Sequence, residues 1–201
     1  MHENEEKSYK ELKEQEYKLY IIEHINNFNI ARRLYLFGIV ECLERASESN
    51  LIEAIYSARA IGIMAGLIKH DTSKHSEEEF EGYRQYFYPV EGEEKNKELF
   101  NNAWKHHYSN NRHHWEYWLS SNLADRILRE EKVHRNDIRD NEEVSDMHIL
   151  SLIEMILDWV AMGIKFNDTP QDFYNKNKDY IILGDRTRNI LEYILNNITF
   201  N

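Results

Sequence analysis

Helix breakers and cysteines are scarce in this chain of 201 residues, which has one cysteine, two prolines and seven glycines. Cys42 alone cannot form a disulfide within the chain, which is typical of a protein kept in a reducing cytoplasm. With so few breakers, and with apolar residues recurring at helical spacing, the sequence predicts an all-α protein. Its length predicts one domain covering residues 1–201.

Long apolar runs and blocks of basic residues are also missing. The longest apolar run, residues 58–68, contains Arg59 and is shorter than the roughly 20 residues that span a bilayer. The charged segment 1–20 has neither an apolar signal core nor the character of a transit peptide. The formal net charge of −11 argues against general nucleic-acid binding. We therefore expect a soluble, cytoplasmic protein that contacts neither membranes nor nucleic-acid backbones.

Apolar periodicity and capping residues divide the chain into helices. The predicted helices cover about residues 9–45, 51–69, 76–88, 97–108, 113–129, 148–165, 170–176 and 186–198. Ser76 and Glu79 have the form of a capping box at the start of the third helix. The polar segment at about 130–147 has no helical periodicity, which suggests a mobile excursion or a lid.

Side chains that bind metal ions lie on or beside several of these helices. His24 shares an apolar helical face, His70 and Asp71 follow the second helix directly, and Asp158 lies on the apolar face of the sixth. Imidazole and carboxylate ligands suit divalent Mn, Fe, Zn, Co or Ni, and they usually come from separate elements. A buried acid such as Asp158 costs several kcal/mol in desolvation unless it is paired or binds a metal.

Each of these residues also has an ordinary structural interpretation. His24 could be a core histidine bonded to a carbonyl, and the dipeptide 70–71 could complement a helix dipole and cap the next turn. A salt bridge to Lys74 or Arg59 would satisfy Asp158. The residues taken together favour metal binding.

The densest group of histidines lies in segment 104–118. Four histidines fall within nine residues there, among three tryptophans and two tyrosines. A short polar break separates the two pairs, so one imidazole of each pair could point inward while the other supports it or faces water. We take His107 and His114 as ligands, with His106 and His113 as the alternative choice, because spacing does not decide between them. Aromatic packing with surface imidazoles is the competing interpretation.

The order His, His-Asp, His, His, Asp is similar to that of the HD metallohydrolase superfamily. The run His70-Asp71-Thr72-Ser73-Lys74 resembles the His-Asp-x-x-Lys signature of HD phosphodiesterases, including the HD-GYP type, and His113-His114-Trp115-Glu116 resembles their later His-His-x-Glu. The Gly-Tyr-Pro element is missing here. The resemblance implies an HD-domain-like helical bundle with one or two divalent ions. It assigns one ion to His24, His70, Asp71 and Asp158, and a second to Asp71, His107 and His114.

Over nearly the whole chain the sequence more closely resembles an uncharacterised bacterial and phage family of about this length. The blocks that carry this resemblance are residues 24–27, 70–74, 79–84, 103–107, 113–118 and 154–162. This family has no assigned substrate, so the resemblance indicates which residues matter and leaves their chemistry open.

From these features we expect a metal-dependent phosphohydrolase or phosphodiesterase of HD type, acting on a nucleotide or cyclic nucleotide through a metal-activated water. Asp71 would be catalytic and join the ions, and Lys74 would grip a phosphate oxygen or position the nucleophile. Arg84 and Lys165 are further candidates for that electrostatic role. Trp115 would contact the substrate. The aromatic side chains that could stack a base are Tyr83, Tyr86, Trp115 and Trp118.

Two other functions fit the same sequence. An HD-type di-iron oxygenase would use the same order of ligands to activate dioxygen. A non-catalytic module that binds a nucleotide or a protein would keep the fold without turnover. The sequence leaves the metal, the substrate and the oligomeric state open.

Overall fold

A computed structural model describes residues 2–48, 65, 68–130 and 132–200. The α-helices within these ranges are α1 His2–Glu48, α2 Glu77–Phe87, α3 Lys97–Asn110, α4 Ser121–Glu130, α5 Ile149–Phe166, α6 Pro170–Asn177 and α7 Asp185–Asn197. Short 3-10 turns cover Thr72–His75 and Trp115–Trp118. No β-strand occurs in the described ranges, so the all-α prediction is confirmed. The helix predicted at 51–69 lies largely outside the described residues.

The core forms where α1 packs along α5 and α7. Helix α5 is apolar on most of its faces and is therefore central, with Ile153 and Leu157 completely buried. Phe28 and Ile39 of α1 and Ile194 of α7 belong to the same cluster. Although α1 is 47 residues long, none of the described helices is apolar over a length that would cross a membrane.

Helices α2 and α3 form a close pair beside the first half of α1. Their nearest approach is at Gly82, where an added Cβ would lie 2.7 Å from the Cβ of Ala103 and 2.8 Å from the carbonyl oxygen of Leu99. Tyr17 and Ile21 of α1 pack against this pair. The tight packing brings the start of α2 next to the last turn of α3, where His107 lies.

The helix predicted at 113–129 is wrong in its first half. The chain instead makes the 3-10 turn Trp115–Trp118, and the helix begins at Ser121. The backbone N–H of Ser120 donates to the Glu143 carbonyl at 2.9 Å, and the N–H of Ser145 donates to the Trp118 carbonyl at 2.8 Å. These long-range bonds take backbone groups that a continuous helix would have used.

The polar segment predicted at about 130–147 is indeed without a helix, but it packs against α4. The Arg126 guanidinium donates to the Glu142 carboxylate at 2.7 Å, and both side chains are buried. Val133 and Met147 at its two ends are also buried. These contacts attach the described part of the segment to α4 and to the core, and its mobility stays a prediction.

Candidate metal centre

Three parts of the chain bring four donor atoms to one point. His24 comes from α1, His70 and Asp71 precede the Thr72–His75 turn, and Asp158 comes from α5. The Nε2 atom of His24 lies 3.0 Å from Nε2 of His70, 3.1 Å from Oδ1 of Asp158 and 3.2 Å from Oδ2 of Asp71. Nε2 of His70 lies 3.2 Å from the same Asp158 oxygen and 3.5 Å from Asp71 Oδ2.

These separations fit one metal ion. Ligand atoms that are each about 2.1 Å from an ion lie about 3.0 Å apart in octahedral geometry and about 3.4 Å apart in tetrahedral geometry. The five distances that involve the His24 or His70 imidazole run from 3.0 to 3.5 Å. The two imidazoles and two carboxylates are also the mixed N/O ligands that divalent Mn, Fe, Zn, Co and Ni accept.

A second set of donors lies on the other side of Asp71. Its Oδ1 atom is 3.4 Å from Nε2 of His107 and 3.4 Å from Nε2 of His113, and His114 completes the group. Oδ1 of Asp71 and the Nε2 atoms of all three histidines are buried without a hydrogen-bond partner among the described residues. Each buried polar atom left without a partner costs about 1–3 kcal/mol, so four at one point indicate a bound group that interacts with their lone pairs. A metal ion meets that requirement.

Asp71 therefore faces both sets, with one carboxylate oxygen toward each. Its backbone is left-handed, with φ 54° and ψ 25°, immediately before the 3-10 turn. Among residues other than glycine, aspartate and asparagine tolerate this conformation best. The sharp turn lets adjacent residues His70 and Asp71 contribute to the same site.

Two glutamates, the buried Glu79 and the partly buried Glu154, orient the histidines of both sets. The Nδ1–H of His107 donates to Glu79 at 2.7 Å, while one oxygen of Glu154 accepts from Nδ1 of His70 at 3.1 Å and of His113 at 3.2 Å. A proton on Nδ1 leaves the Nε2 lone pair free for a metal, and such carboxylates also raise ligand basicity. The capping-box role expected for Glu79 is wrong, because its carboxylate accepts from the His107 imidazole instead. Ser76 occupies the N-cap without a side-chain capping bond.

All six residues predicted as metal ligands lie in this cluster, which is formed by His24, His70, Asp71, His107, His114 and Asp158. His113, held in the sequence analysis as an alternative, joins them. His106 points away from the centre, with a side chain 34% exposed and Nδ1 2.8 Å from Glu79 Oε1. Both rings of the pair His113 and His114 face the cluster, because the chain is not helical there.

The imidazoles of His24 and His70 lie against the carboxylates of Asp71 and Asp158. Burial alone would lower the pKa of His70, but Asp71, Asp158 and Glu154 raise it to about 10. Burial would raise the pKa of Asp158, yet the bonds from His24 and His70 hold it well below its usual value. Metal binding has to displace such protons, since ligating imidazoles are neutral at the bound nitrogen.

Lys74 is the predicted catalytic cation and lies beside the first donor set. Its Nζ is 2.6 Å from Oδ2 of Asp71, and its side chain is 14% exposed. Burial would lower the pKa of this amine, but the charges of Asp71 and Asp158 raise it overall. A charged ammonium thus lies next to the donor atoms and still reaches the surface.

The other predicted cations are engaged elsewhere. The Arg84 guanidinium is completely buried and donates to Glu93 at 2.6 Å and to Glu81 at 2.7 Å. Lys165 forms an ion pair with Glu23 and lies over the ring of Tyr20. Arg84 is therefore better explained as a structural residue than as a substrate contact.

A cavity of about 440 Å³ opens against the His/Asp cluster and is lined by His113, His114 and Asp158. Trp115, the predicted substrate contact, forms part of its wall. Glu116 also lines it, and burial raises the pKa of this carboxyl to about 7.

The other aromatic residues proposed to stack a base have different contacts. Tyr83 packs against Tyr17, Tyr86 stacks on Phe100, and the Trp118 indole donates to the carbonyl of Arg112.

The fold and the donor atoms together define an all-helical protein with a buried His/Asp cluster that could hold metal ions. A sequence model for a family of unknown function, DUF5662, matches residues 13–197, and the chain belongs to that family. The resemblance to an uncharacterised family is thereby confirmed. Comparisons with curated proteins and with solved structures gave no match.

Proposed function

We propose that this protein is a metal-dependent hydrolase of phosphoric esters. The observation that carries the proposal is the position of Asp71, whose two oxygens face two separate donor sets while Lys74 lies against one of them. When bound, two divalent ions would supply the Lewis acidity that activates water and neutralises charge on a phosphoryl group. A carboxylate shared between two such ions is suited to hold them a few ångströms apart.

The charges around the centre support an anionic substrate. Two divalent ions and Lys74 would carry five positive charges, against four negative charges on the carboxylates. The four carboxylates are Asp71, Glu79, Glu154 and Asp158. The imidazoles add none when they act as neutral ligands. An occupied centre is thus net positive, and a phosphate group offers the complementary charge and the hard oxygen atoms that divalent ions prefer.

The protein's own groups would position the substrate. The Lys74 ammonium can bind a non-bridging phosphate oxygen at the exposed side of the first donor set, where Asp158 is also partly exposed at 15%. Glu79 and Glu154 keep the imidazoles in the tautomer that points Nε2 at the ions.

Metal analysis followed by an ester panel tests this function. Protein purified without chelators is expected to contain up to two divalent ions per chain and to hydrolyse phosphomonoesters or phosphodiesters, including nucleotides and cyclic nucleotides, with added Mn, Co, Ni, Zn or Fe. The matched control is Asp71→Asn, which should show no turnover. Metal-loaded protein that binds an ester tightly without cleaving it would contradict hydrolysis and favour a binding module.

A di-iron oxygenase is the second candidate, and the apolar cavity favours it. Activation of dioxygen requires protection from water, and the aromatic walls beside His113, His114 and Asp158 provide that environment. Aerobically purified protein would then contain mainly iron, show visible absorption or an EPR signal, and consume oxygen in the presence of its substrate. Iron-free protein that cleaves phosphoric esters would exclude this candidate.

A further inference from the structure

The cavity beside the metal centre has walls made mostly of carbon. Outside the donor residues it is lined chiefly by large apolar side chains, among them Trp115, Met155, Trp159, Met162, Phe166 and Phe173. No lysine or arginine lies among its lining residues in the described part of the chain. Any anionic group of a ligand would therefore find its partners at the metal centre and Lys74 and none within the cavity itself.

The few polar side chains in the wall are mostly engaged already. Asp168 accepts from the backbone N–H of Thr169 at 3.0 Å and from Lys176 at 3.0 Å. The Thr169 hydroxyl donates to the Asp172 carboxylate at 2.8 Å and accepts from the backbone N–H of Asp172 at 3.1 Å. Apart from the donor residues, Oε2 of Glu116 is the buried side-chain atom left without a partner in this wall.

From this lining we infer that the cavity binds an apolar, ring-containing organic group of the substrate, whose phosphate lies at the metal centre. This inference rests on the proposed hydrolase function and names its substrate class. A nucleoside fits poorly, because most of its sugar hydroxyls and base edges would lose their hydrogen bonds to water against walls lined chiefly by carbon. An aryl or other apolar group has no hydrogen bonds to water to lose, and its transfer from water into the cavity is favourable in free energy.

The volume agrees with a group larger than a single ring. An apolar cavity of about 150 Å³ holds one benzene, and this cavity is about 440 Å³. A fused bicyclic group such as naphthyl fits with space left for branches.

The test uses binding of four compounds to the metal-loaded protein, measured by calorimetry. The compounds are 1-naphthyl phosphate, adenosine monophosphate, glycerol 3-phosphate and the neutral 1-naphthol. We expect 1-naphthyl phosphate to bind at least about tenfold more tightly than either of the other phosphates, a difference of about 1.4 kcal/mol. Adenosine monophosphate binding as tightly as 1-naphthyl phosphate would overturn the inference.

Variants at the mouth of the cavity identify where the ring binds. Phe166 and Phe173 are 63% and 38% exposed, so replacing them removes little core packing. Phe166→Ala and Phe173→Ala should each weaken the binding of 1-naphthyl phosphate and of 1-naphthol about fivefold. The binding of glycerol 3-phosphate should not change. The matched control is Phe37→Ala, an exposed phenylalanine on α1 that does not line the cavity and should change nothing. Equal weakening of all ligands, or no weakening of any, would overturn the assignment.

The two proposals fail in different ways. If no ester is hydrolysed, while 1-naphthol still binds and Phe166→Ala weakens that binding, the proposed hydrolase function is wrong. The assignment of the cavity to an apolar group then remains. If esters are hydrolysed without preference for the naphthyl group and 1-naphthol does not bind, the hydrolase remains and the cavity assignment is wrong.

Discussion

Asp71 is the residue on which both donor sets depend, because each of its oxygens belongs to a different set. We predict that Asp71→Asn lowers the metal content from two ions to at most one per chain and abolishes activity. Asparagine keeps the left-handed backbone available and one carbonyl oxygen, but it removes the charge and the second ligand atom. Metal analysis and circular dichroism check this, and full metal content in a folded variant would contradict it.

The histidines of the second set should be separable from those of the first. We predict that His107→Ala, His113→Ala and His114→Ala each retain about one ion per chain and lose most activity, since the first donor set remains complete. His106→Ala is the matched control, because its ring bonds Glu79 from the exposed side and should leave both ions in place. Metal titration measures the number of ions bound by each protein. A single metal site in the unmodified protein, together with fully active histidine variants, would contradict the second ion.

Lys74 should act on the substrate and not on the metal. Its ammonium is held by Asp71 and contributes no lone pair while charged, so we predict that Lys74→Ala keeps its full metal content. Removal of one positioned cation near developing charge typically lowers turnover by about 10²–10³-fold, and we expect a loss of that size here. Steady-state kinetics and metal analysis of the same preparation measure both effects. Loss of the metal or unchanged turnover would show that this role is wrong.

At the scale of elements, an ion-pair clamp holds the end of α2 to the loop that follows. Arg84 donates to the Tyr88 carbonyl and to both oxygens of Glu93, and Glu93 also accepts from the backbone of Val90. The bond from Arg84 lowers the pKa of Glu93 from 4.5 to about 2. The stability that the clamp contributes is therefore fully present above pH 4.5 and is lost as the pH falls toward 2.

We predict that Glu93→Gln lowers the free energy of unfolding by about 1–3 kcal/mol at pH 7, because it leaves the buried guanidinium with a weaker partner. The difference between the variant and the unmodified protein should shrink as the pH falls from 4.5 toward 2. Denaturant unfolding measured at several pH values checks this. Glu94→Gln, at an exposed neighbouring position, is the control. A difference that grows with acidity would contradict the assignment.

At the scale of the whole molecule, the candidate metal centre joins elements that are far apart in the sequence. His24 of α1, His107 of α3 and Asp158 of α5 meet the turn that carries Asp71. An ion bound only by the folded chain stabilises it by about 2.7 kcal/mol at a free concentration one hundred times its Kd.

We therefore predict that chelation lowers the melting temperature by about 5–10 °C, given about 2–4 °C per kcal/mol for a chain of this size. Differential scanning calorimetry with and without chelator measures the shift. Asp71→Asn should show a smaller shift, whereas His106→Ala should match the unmodified protein. An equal shift in Asp71→Asn would mean that the chelator acts elsewhere.

The sequence by itself determined the helical class and most residues of the His/Asp cluster that could hold a metal ion. Few breakers and a 3.6-residue apolar period suffice to predict α1 and α5, because such local patterns do not depend on the rest of the chain. His24 and Asp158 can be predicted from the sequence in the same way, because a polar residue on an apolar helical face needs a partner or a metal.

Only the tertiary structure decided how the second donor set is built and what lies beside it. The side chains of His113 and His114 depend on a non-helical segment whose backbone pairs with residues 143–145, a contact that local spacing does not encode. The position of Glu79 beside His107 depends on the close packing of α2 and α3. The apolar cavity likewise forms from separate segments, including Trp115 and Phe166, which meet only after folding. Long-range packing sets these features, because the energy of each contact depends on partners that are distant in sequence.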